Sequence, residues 1–148
     1  ANTHGVFGAL EGELRDMGYV MHGCAKHGMV TIAQRGLNLA PTKSTIEDDD
    51  FRMQRFAWQI GDTRILVRHR HAHSNSQAER KRLNGLIAAE TMGDMWVDIG
   101  DYNQHPKDSS SCGVAVAPAD FTYRLNPEKE WVSLIDGATV ANTLASLA

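Results

Sequence analysis

Two stretches of the chain place their apolar residues at helical spacing. The first follows Thr3, a residue type that caps helices, and ends at Gly18. The second follows Ser76, where Glu79 three residues later completes a capping box. The apolar positions are Phe7, Leu10, Leu14 and Met17 in the first helix and Leu83, Leu86 and Ile87 in the second. We expect the stripe on the second helix to be buried against a sheet, because it is the continuous apolar face of that helix.

Shorter runs with apolar or alternating residues predict strands. Residues 51–60 and 63–73 are joined by Gly61-Asp62, a dipeptide typical of a tight hairpin. A strand, the second helix and a further strand then follow one another, which is the usual parallel arrangement. Other strands are predicted at 19–21, 29–34, 95–99, 114–116 and within 131–140, and a surface loop at 36–50. The pattern therefore predicts an α/β (α+β) fold with a mixed β-sheet.

One face of the strand at 63–73 carries three histidines, because alternate residues of a strand point the same way. We call this face, which bears His69, His71 and His73 after Thr63, Ile65 and Val67, the histidine face. An imidazole suits proton transfer because its ordinary pKa lies close to neutral. Alternate histidines on a strand can also share a zinc ion, and solvent-exposed histidines at a fraying strand end explain the same pattern.

The strand at 95–99 is followed by Gly100-Asp101-Tyr102-Asn103. Open sheets place their ligands at the carboxyl ends of strands, where loops converge on a common crevice. Asp101 has the chemistry to accept a proton, orient a histidine or bind a hard cation, and Asn103 offers both a donor and an acceptor. A simple turn uses the same residue types for backbone reasons.

Gly100-Asp101-Tyr102-Asn103 resembles the Gly-Asp-Phe-Asn motif of the endonuclease/exonuclease/phosphatase superfamily. Upstream, His71-Ala72 is similar to the strand end that carries the catalytic histidine of that family. Downstream, Ser133-Leu134-Ile135-Asp136 is similar to its Ile-Asp-Tyr strand. The resemblance extends from about Gly18 to about Asn142. It implies a partial deoxyribonuclease-like fold, in which a mixed β-sheet sandwich is flanked by helices.

The resemblance also implies an activity, which is that of a metal-dependent phosphodiesterase and most specifically a nuclease. The histidine of such a site handles the proton of the attacking water, held by an aspartate. The implied catalytic residues are His71, Asp101, Asn103 and Asp136, with Asp136 orienting the histidine. An ungapped alignment from Ile60-Gly61 selects His69 in place of His71.

Further roles implied by the resemblance concern the substrate and a cation. Nucleic acid or another phosphodiester is the expected partner, bound through Arg52, Arg55, His69 and His73. Mg²⁺ is the expected cation because it prefers oxygen ligands, with Glu11 and Asp101 as its ligands. On the simpler interpretation Glu11 is an exposed helix residue, since acids are rarely buried.

Two superfamily motifs have no counterpart in the sequence: the glutamate that ends the first strand and the closing Ser-Asp-His. A catalytically inactive binding module, or a fragment whose fold a second chain completes, is therefore an alternative to the enzyme. Zinc binding through the strand His69-x-His71-x-His73 is another.

Composition narrows these possibilities only slightly. A chain of 148 residues with 42% apolar and 22% charged residues predicts one folded domain, 1–148, rather than a disordered segment. Its apolar runs are too short to cross a bilayer, so no membrane partner is expected. The net charge of −3 disfavours a strongly basic nucleic-acid clamp, although Arg64, Arg68 and Arg70 concentrate positive charge locally. Cys24 and Cys112 form one disulfide or remain two thiols, which leaves the compartment open.

Overall fold

The computed structural model describes residues 3–24, 29–42, 53–72, 75–90, 95–104, 114–116 and 136–145. The helices are α1 (Thr3–Asp16), α2 (Gln77–Glu90) and α3 (Asn142–Ala145). The strands are β1 (Tyr19–Cys24), β2 (Met29–Gln34), β3 (Leu39–Pro41), β4 (Met53–Ile60), β5 (Thr63–His71), β6 (Trp96–Asp101), β7 (Val114–Val116) and β8 (Asp136–Val140). Both predicted helices are confirmed, and so is the hairpin of β4 and β5.

The strands form two sheets. β1 and β2 pair with each other, and the remaining six lie in the order β3-β4-β5-β6-β8-β7. β5 and β6 are parallel and are connected through α2, whereas the other neighbouring pairs are antiparallel. The fold is therefore α/β with a mixed sheet, as the sequence predicts.

The prediction of a continuous surface loop at 36–50 is wrong at β3. Leu39, Ala40 and Pro41 pair with Trp58, Ala57 and Phe56 of β4. β3 is the outer strand of the sheet, where a proline is tolerated because it removes no donor needed by a further neighbour. Asn38, which indicates a loop here, thus precedes a short edge strand, and Pro41 is the last residue of that strand.

Helix α2 covers one face of the six-stranded sheet. Ser76 Oγ accepts a hydrogen bond from the backbone N–H of Glu79 at 3.2 Å, as the capping box predicts. Leu83 and Ile87 are buried in a cluster with Met53 of β4 and Ala72 after β5, and Leu86 packs against this cluster half-buried. The apolar stripe of the helix therefore faces the sheet, as expected.

A buried carboxylate lies between the helix and the sheet, paired with two arginines. Asp98 of β6 binds the Nε of Arg68 through Oδ1, and its Oδ2 lies 3.2 Å from Arg70 Nη2. All three side chains are at most 2% exposed. Arg68 also donates to the Ile87 carbonyl at 3.1 Å, and Arg70 donates to Asn84 Oδ1 at 2.9 Å. The two arginines that pair with Asp98 thus also attach α2 to the sheet through hydrogen bonds.

Aromatic rings enclose this buried charge cluster. The guanidinium of Arg70 lies 4.3 Å from the centre of the Tyr102 ring, and that of Arg68 lies 5.3 Å from the centre of the Trp96 ring. The Tyr102 hydroxyl is 3.0 Å from the Asp98 carbonyl. Burial raises the pKa of Tyr102, so the hydroxyl stays protonated and donates to that carbonyl. The local concentration of positive charge expected from Arg68 and Arg70 is therefore internal and does not form a surface patch.

We expect Leu83→Ala to lower the free energy of unfolding by about 2–5 kcal/mol, because it leaves a cavity in the cluster beneath α2. Leu86→Ala should cost less, since Leu86 is only half-buried. Chemical denaturation of both variants tests this ranking, with Leu10→Ala on an exposed helix position as the matched control. Equal losses at Leu83 and Leu10 would contradict the packing of α2.

We expect Asp98→Asn to destabilise the protein by about 3–5 kcal/mol, because it leaves two buried guanidinium groups without a counter-charge. Thermal and urea unfolding measure the effect. Asp62→Asn, at an exposed position of the hairpin turn, is the control and should change stability little. A loss at Asp98 no larger than at Asp62 would show that the carboxylate does not hold the cluster.

Candidate functional site

The candidate site lies where β5 and β6 end side by side. The two strands are parallel, and their register sets His71 opposite Asp101. His71 Nε2 lies 3.9 Å from Asp101 Oδ2, and the side chains are 40% and 31% exposed. The parallel pairing expected from the strand–helix–strand pattern thus brings an imidazole and a carboxylate together within reach of solvent.

The turn after β6 depends on two residues with positive φ. Gly100 has φ +131°, and a Cβ at this position would lie 2.1 Å from the Arg70 carbonyl oxygen, so any larger residue would force the two strands apart. Asn103 has φ +49°, a conformation that asparagine tolerates better than most residues. Both conformations direct the chain back toward the end of β5.

Two hydrogen bonds join the two strand ends, and a third closes the turn after β6. The Ala72 N–H donates to the Asp101 carbonyl at 2.8 Å. The Asn103 side-chain amide donates to the Ala72 carbonyl at 2.6 Å, and its backbone N–H donates to Asp101 Oδ1 at 2.8 Å. Asp101 therefore has one carboxylate oxygen fixed by the turn, and the other faces His71.

β8 brings a second acidic residue to this end of the sheet. It runs antiparallel to β6, and its first residue, Asp136, is the register partner of Asp101. His71, Asp101 and Asp136 consequently occupy adjacent positions on three neighbouring strands.

Other predicted site residues are not brought to this point. Arg55 pairs with Arg68 across β4 and β5, and facing residues of paired strands share a face, so Arg55 lies on the α2 side of the sheet. Glu11 is exposed on α1, which packs against β1. Arg52, His73 and Cys112 lie outside the described residues, as does the side chain of Cys24.

A hydrogen-bonded group between the two sheets was not predicted from the sequence. Gln54 of β4 is the register partner of His69, and its Oε1 lies 3.1 Å from His69 Nδ1. Thr31 of β2 lies 2.6 Å from Gln54 Oε1 and 3.0 Å from His69 Nδ1. The Gln54 amide nitrogen donates to the His22 carbonyl of β1 at 2.9 Å. Counting outward from the Gly61-Asp62 turn would have found the facing pair of Gln54 and His69.

His69 and His71 have different electrostatic surroundings although they share a face. Burial lowers the pKa of His69, because a charged imidazole is poorly solvated there, and the neighbouring His71 lowers it further by charge repulsion. His71 instead faces the Asp101 carboxylate.

The described residues do not by themselves form a metal centre. Among them, no group of three or more histidine, cysteine, aspartate or glutamate side chains is placed to hold an ion. Asp101 Oδ1 already accepts the Asn103 N–H, and Glu11 lies on α1. In the same part of the chain, no helix has the length and apolar character needed to span a membrane.

Sequence comparison with protein-family models and with curated proteins gives no match. Solved structures do resemble the chain. Truncated Caenorhabditis elegans TDP2 matches with a TM-score of 0.58 and 17% identity over 85% of this chain and 62% of that one. CdtB, the biologically active subunit of cytolethal distending toxin, matches with a TM-score of 0.48 and 14% identity over 78% of this chain and 48% of that one.

The chain thus spans less than two thirds of either structure. The likeness to truncated TDP2, at a TM-score of 0.58 and 17% identity, shows a shared fold and concerns the fold alone. The resemblance seen in the sequence motifs is confirmed at that level.

We expect Asn103→Ala to destabilise the protein by about 2 kcal/mol, because it combines a lost hydrogen bond to Ala72 with a left-handed conformation that alanine disfavours. Asn103→Gly relieves the conformational cost and should lose only about 1 kcal/mol. Chemical denaturation of the two variants separates the contributions. If Asn103→Gly were as damaging as Asn103→Ala, the backbone conformation at this position would not matter.

Proposed function

We propose that this protein is a phosphodiesterase, and more specifically a nuclease, whose reactive centre is His71 with Asp101. The observation that carries the proposal is the parallel register that sets these two residues 3.9 Å apart at the carboxyl end of the sheet. The fold of a superfamily with this general activity supports it. Partial exposure of both side chains leaves room for a substrate to approach.

In the proposed reaction, the oxygen of a water molecule attacks phosphorus and the bond from phosphorus to the leaving alkoxide oxygen breaks. The proton of the water passes to the imidazole of His71. Asp101 stabilises the resulting imidazolium, because an opposite charge nearby favours the protonated form. Asn103 acts as a positioning residue, since it ties the Asp101 turn to the end of β5. Asp136, adjacent to Asp101 in the sheet, is the proposed second carboxylate.

The cation and the substrate contacts are further parts of the proposal. The superfamily resemblance supports a requirement for a divalent cation, with Mg²⁺ as the first candidate and Asp101 and Glu11 as the proposed ligands. Because the described residues do not complete such a site, no catalytic step is assigned to the ion. Phosphate binding by Arg52 and His73 likewise remains a prediction, whereas Arg55 lies on the α2 side of the sheet, away from the histidine face. Nucleic acid is the proposed substrate.

A second candidate function is binding without hydrolysis. It is favoured by the burial of Arg68 and Arg70 under α2 and by the placement of Arg55 on that same side of the sheet. Within the described chain these arginines are unable to contact a phosphate on the histidine face. Without these cations, the charge that develops on a phosphate during hydrolysis would lack one source of stabilisation, as expected of a module that leaves phosphodiester bonds intact.

The test is hydrolysis of bis(p-nitrophenyl) phosphate and nicking of supercoiled DNA, each with Mg²⁺ and with EDTA. We expect His71→Gln and Asp101→Asn to reduce hydrolysis by about 10²-fold or more, the usual contribution of a general base. Asp101→Asn is chosen because its side chain can still accept the Asn103 N–H. Asp62→Asn in the hairpin turn is the control and should retain full activity.

Hydrolysis that is equal in all variants would reject the centre. DNA binding without hydrolysis in the native protein would establish the second candidate. Activity in EDTA equal to that in Mg²⁺ would remove the cation from the proposal and leave the role of His71 intact.

A further inference from the structure

The hydrogen bonds around His69 determine which of its ring nitrogens carries hydrogen. The orientation of the Gln54 amide comes first. Its nitrogen lies 2.9 Å from the His22 carbonyl, which only accepts, so the amide must present its N–H₂ there and its oxygen to His69. Gln54 Oε1 is therefore an acceptor facing His69 Nδ1 at 3.1 Å.

Thr31 completes the assignment. Its hydroxyl lies 2.6 Å from Gln54 Oε1, and because that oxygen has no hydrogen, the Thr31 O–H must be the donor. The same hydroxyl has then no hydrogen left for His69 Nδ1, which lies 3.0 Å away. A hydrogen on Nδ1 satisfies both contacts, whereas a lone pair there would face two oxygen lone pairs.

The other ring nitrogen of His69 has no such constraint. Among the described residues, Nε2 makes no hydrogen bond, and it is not one of the buried polar atoms that lack a partner. Nε2 is thus left without a partner from the described residues, on a side chain that is partly exposed. Burial, followed by the charge of His71, lowers the pKa of His69, so this nitrogen remains unprotonated near neutral pH.

The titratable groups that face His69 are few in the described part of the chain. His71 lies two residues ahead on the same strand, and the His22 ring packs on Phe56 beyond Gln54. The residues from β2, β4 and β6 that lie beside His69 are Thr31, Gln54 and Ile99, and none of them is charged. No carboxylate in this group offsets a positive charge on His69.

We propose that Gln54 is a positioning residue that holds His69 as its Nδ1–H tautomer, so that His69 Nε2 is a hydrogen-bond acceptor for water and not a ligand for phosphate. An unprotonated nitrogen repels an anionic phosphate oxygen, because both present lone pairs. The role in catalysis rests on the proposed function. In the proposed hydrolysis, this tautomer leaves contact with the phosphate to His71, and His69 orients a water molecule beside His71.

The test is long-range ¹H–¹⁵N NMR of the histidine rings in the full chain at pH 7.5, with His69→Gln used to identify the His69 signals. We expect Nδ1 of His69 to show the chemical shift of a protonated nitrogen and Nε2 that of an unprotonated one. Free imidazole side chains favour the opposite tautomer. A His69 ring with hydrogen on Nε2, or with a mixture of the two tautomers, would overturn the proposal.

Gln54→Glu provides the matched variant, because it keeps an oxygen facing Nδ1 and adds a negative charge. The pKa of His69 should rise, and both ring nitrogens should become protonated near neutral pH. Gln59→Glu, an exposed position on the same strand, is the control and should leave His69 unchanged. If Gln54→Glu left the titration of His69 as it is in the native protein, Gln54 would not control the ring.

Inorganic phosphate is the probe for the ligand. At pH 7.5 its addition should leave the His69 signals of the native protein in place, and it should shift them in Gln54→Glu. A phosphate-dependent shift of His69 in the native protein would contradict the proposal. These measurements do not use hydrolysis, so a protein with the expected tautomer and no activity would refute the proposed function alone.

Discussion

The pairing of Asp98 with Arg68 and Arg70 is the interaction on which the arrangement of the site depends. A buried carboxylate and two buried guanidinium groups tolerate few alternatives, because moving any one of them leaves a charge without a partner. A shift of the strand register by one residue would turn every side chain of β5 to the opposite face. The ion pairs thus fix both the β5–β6 register and the side of the sheet on which His69 and His71 lie.

The two acidic residues of β6, Asp98 and Asp101, have different roles because they lie on opposite faces of the strand. Asp98 faces α2 and stabilises the fold, whereas Asp101, three residues later, faces His71 at the strand end. Gly100 lies between them and permits the approach of β6 to the Arg70 carbonyl. Burial therefore decreases along β6, because the Asp98 carboxylate is excluded from water and the Asp101 carboxylate is accessible to solvent.

Much of this arrangement could be predicted from local sequence signals. The Gly61-Asp62 turn fixes the β4–β5 register, the capping box begins α2 after Ser76, and the order of strand, helix and strand makes β5 and β6 parallel. Each of these features is determined by residues that are close together in the sequence, so the pattern of residue types is sufficient to predict it. The approach of Asp101 to His71 followed from them.

The features that the sequence did not reveal depend on partners distant in the chain. Arginine is rarely buried, so Arg68 and Arg70 were interpreted as surface charge, and their partner Asp98 looked like a break in an apolar strand. The contact of Thr31 with His69 joins two sheets whose relative placement no local pattern specifies. Similarity to the superfamily predicts a substrate contact for Arg55, but similarity does not specify the β4–β5 register. That register decides on which face of the sheet Arg55 lies.

A double-mutant cycle on kcat/KM for phosphodiester hydrolysis, with His71→Gln, Asp101→Asn and both together, tests most directly whether these two residues act as one unit. Residues that act together in a single step show strongly non-additive effects. We predict that the double variant loses no more activity than the more damaging single variant. Losses that multiply in the double variant would contradict a shared reactive centre.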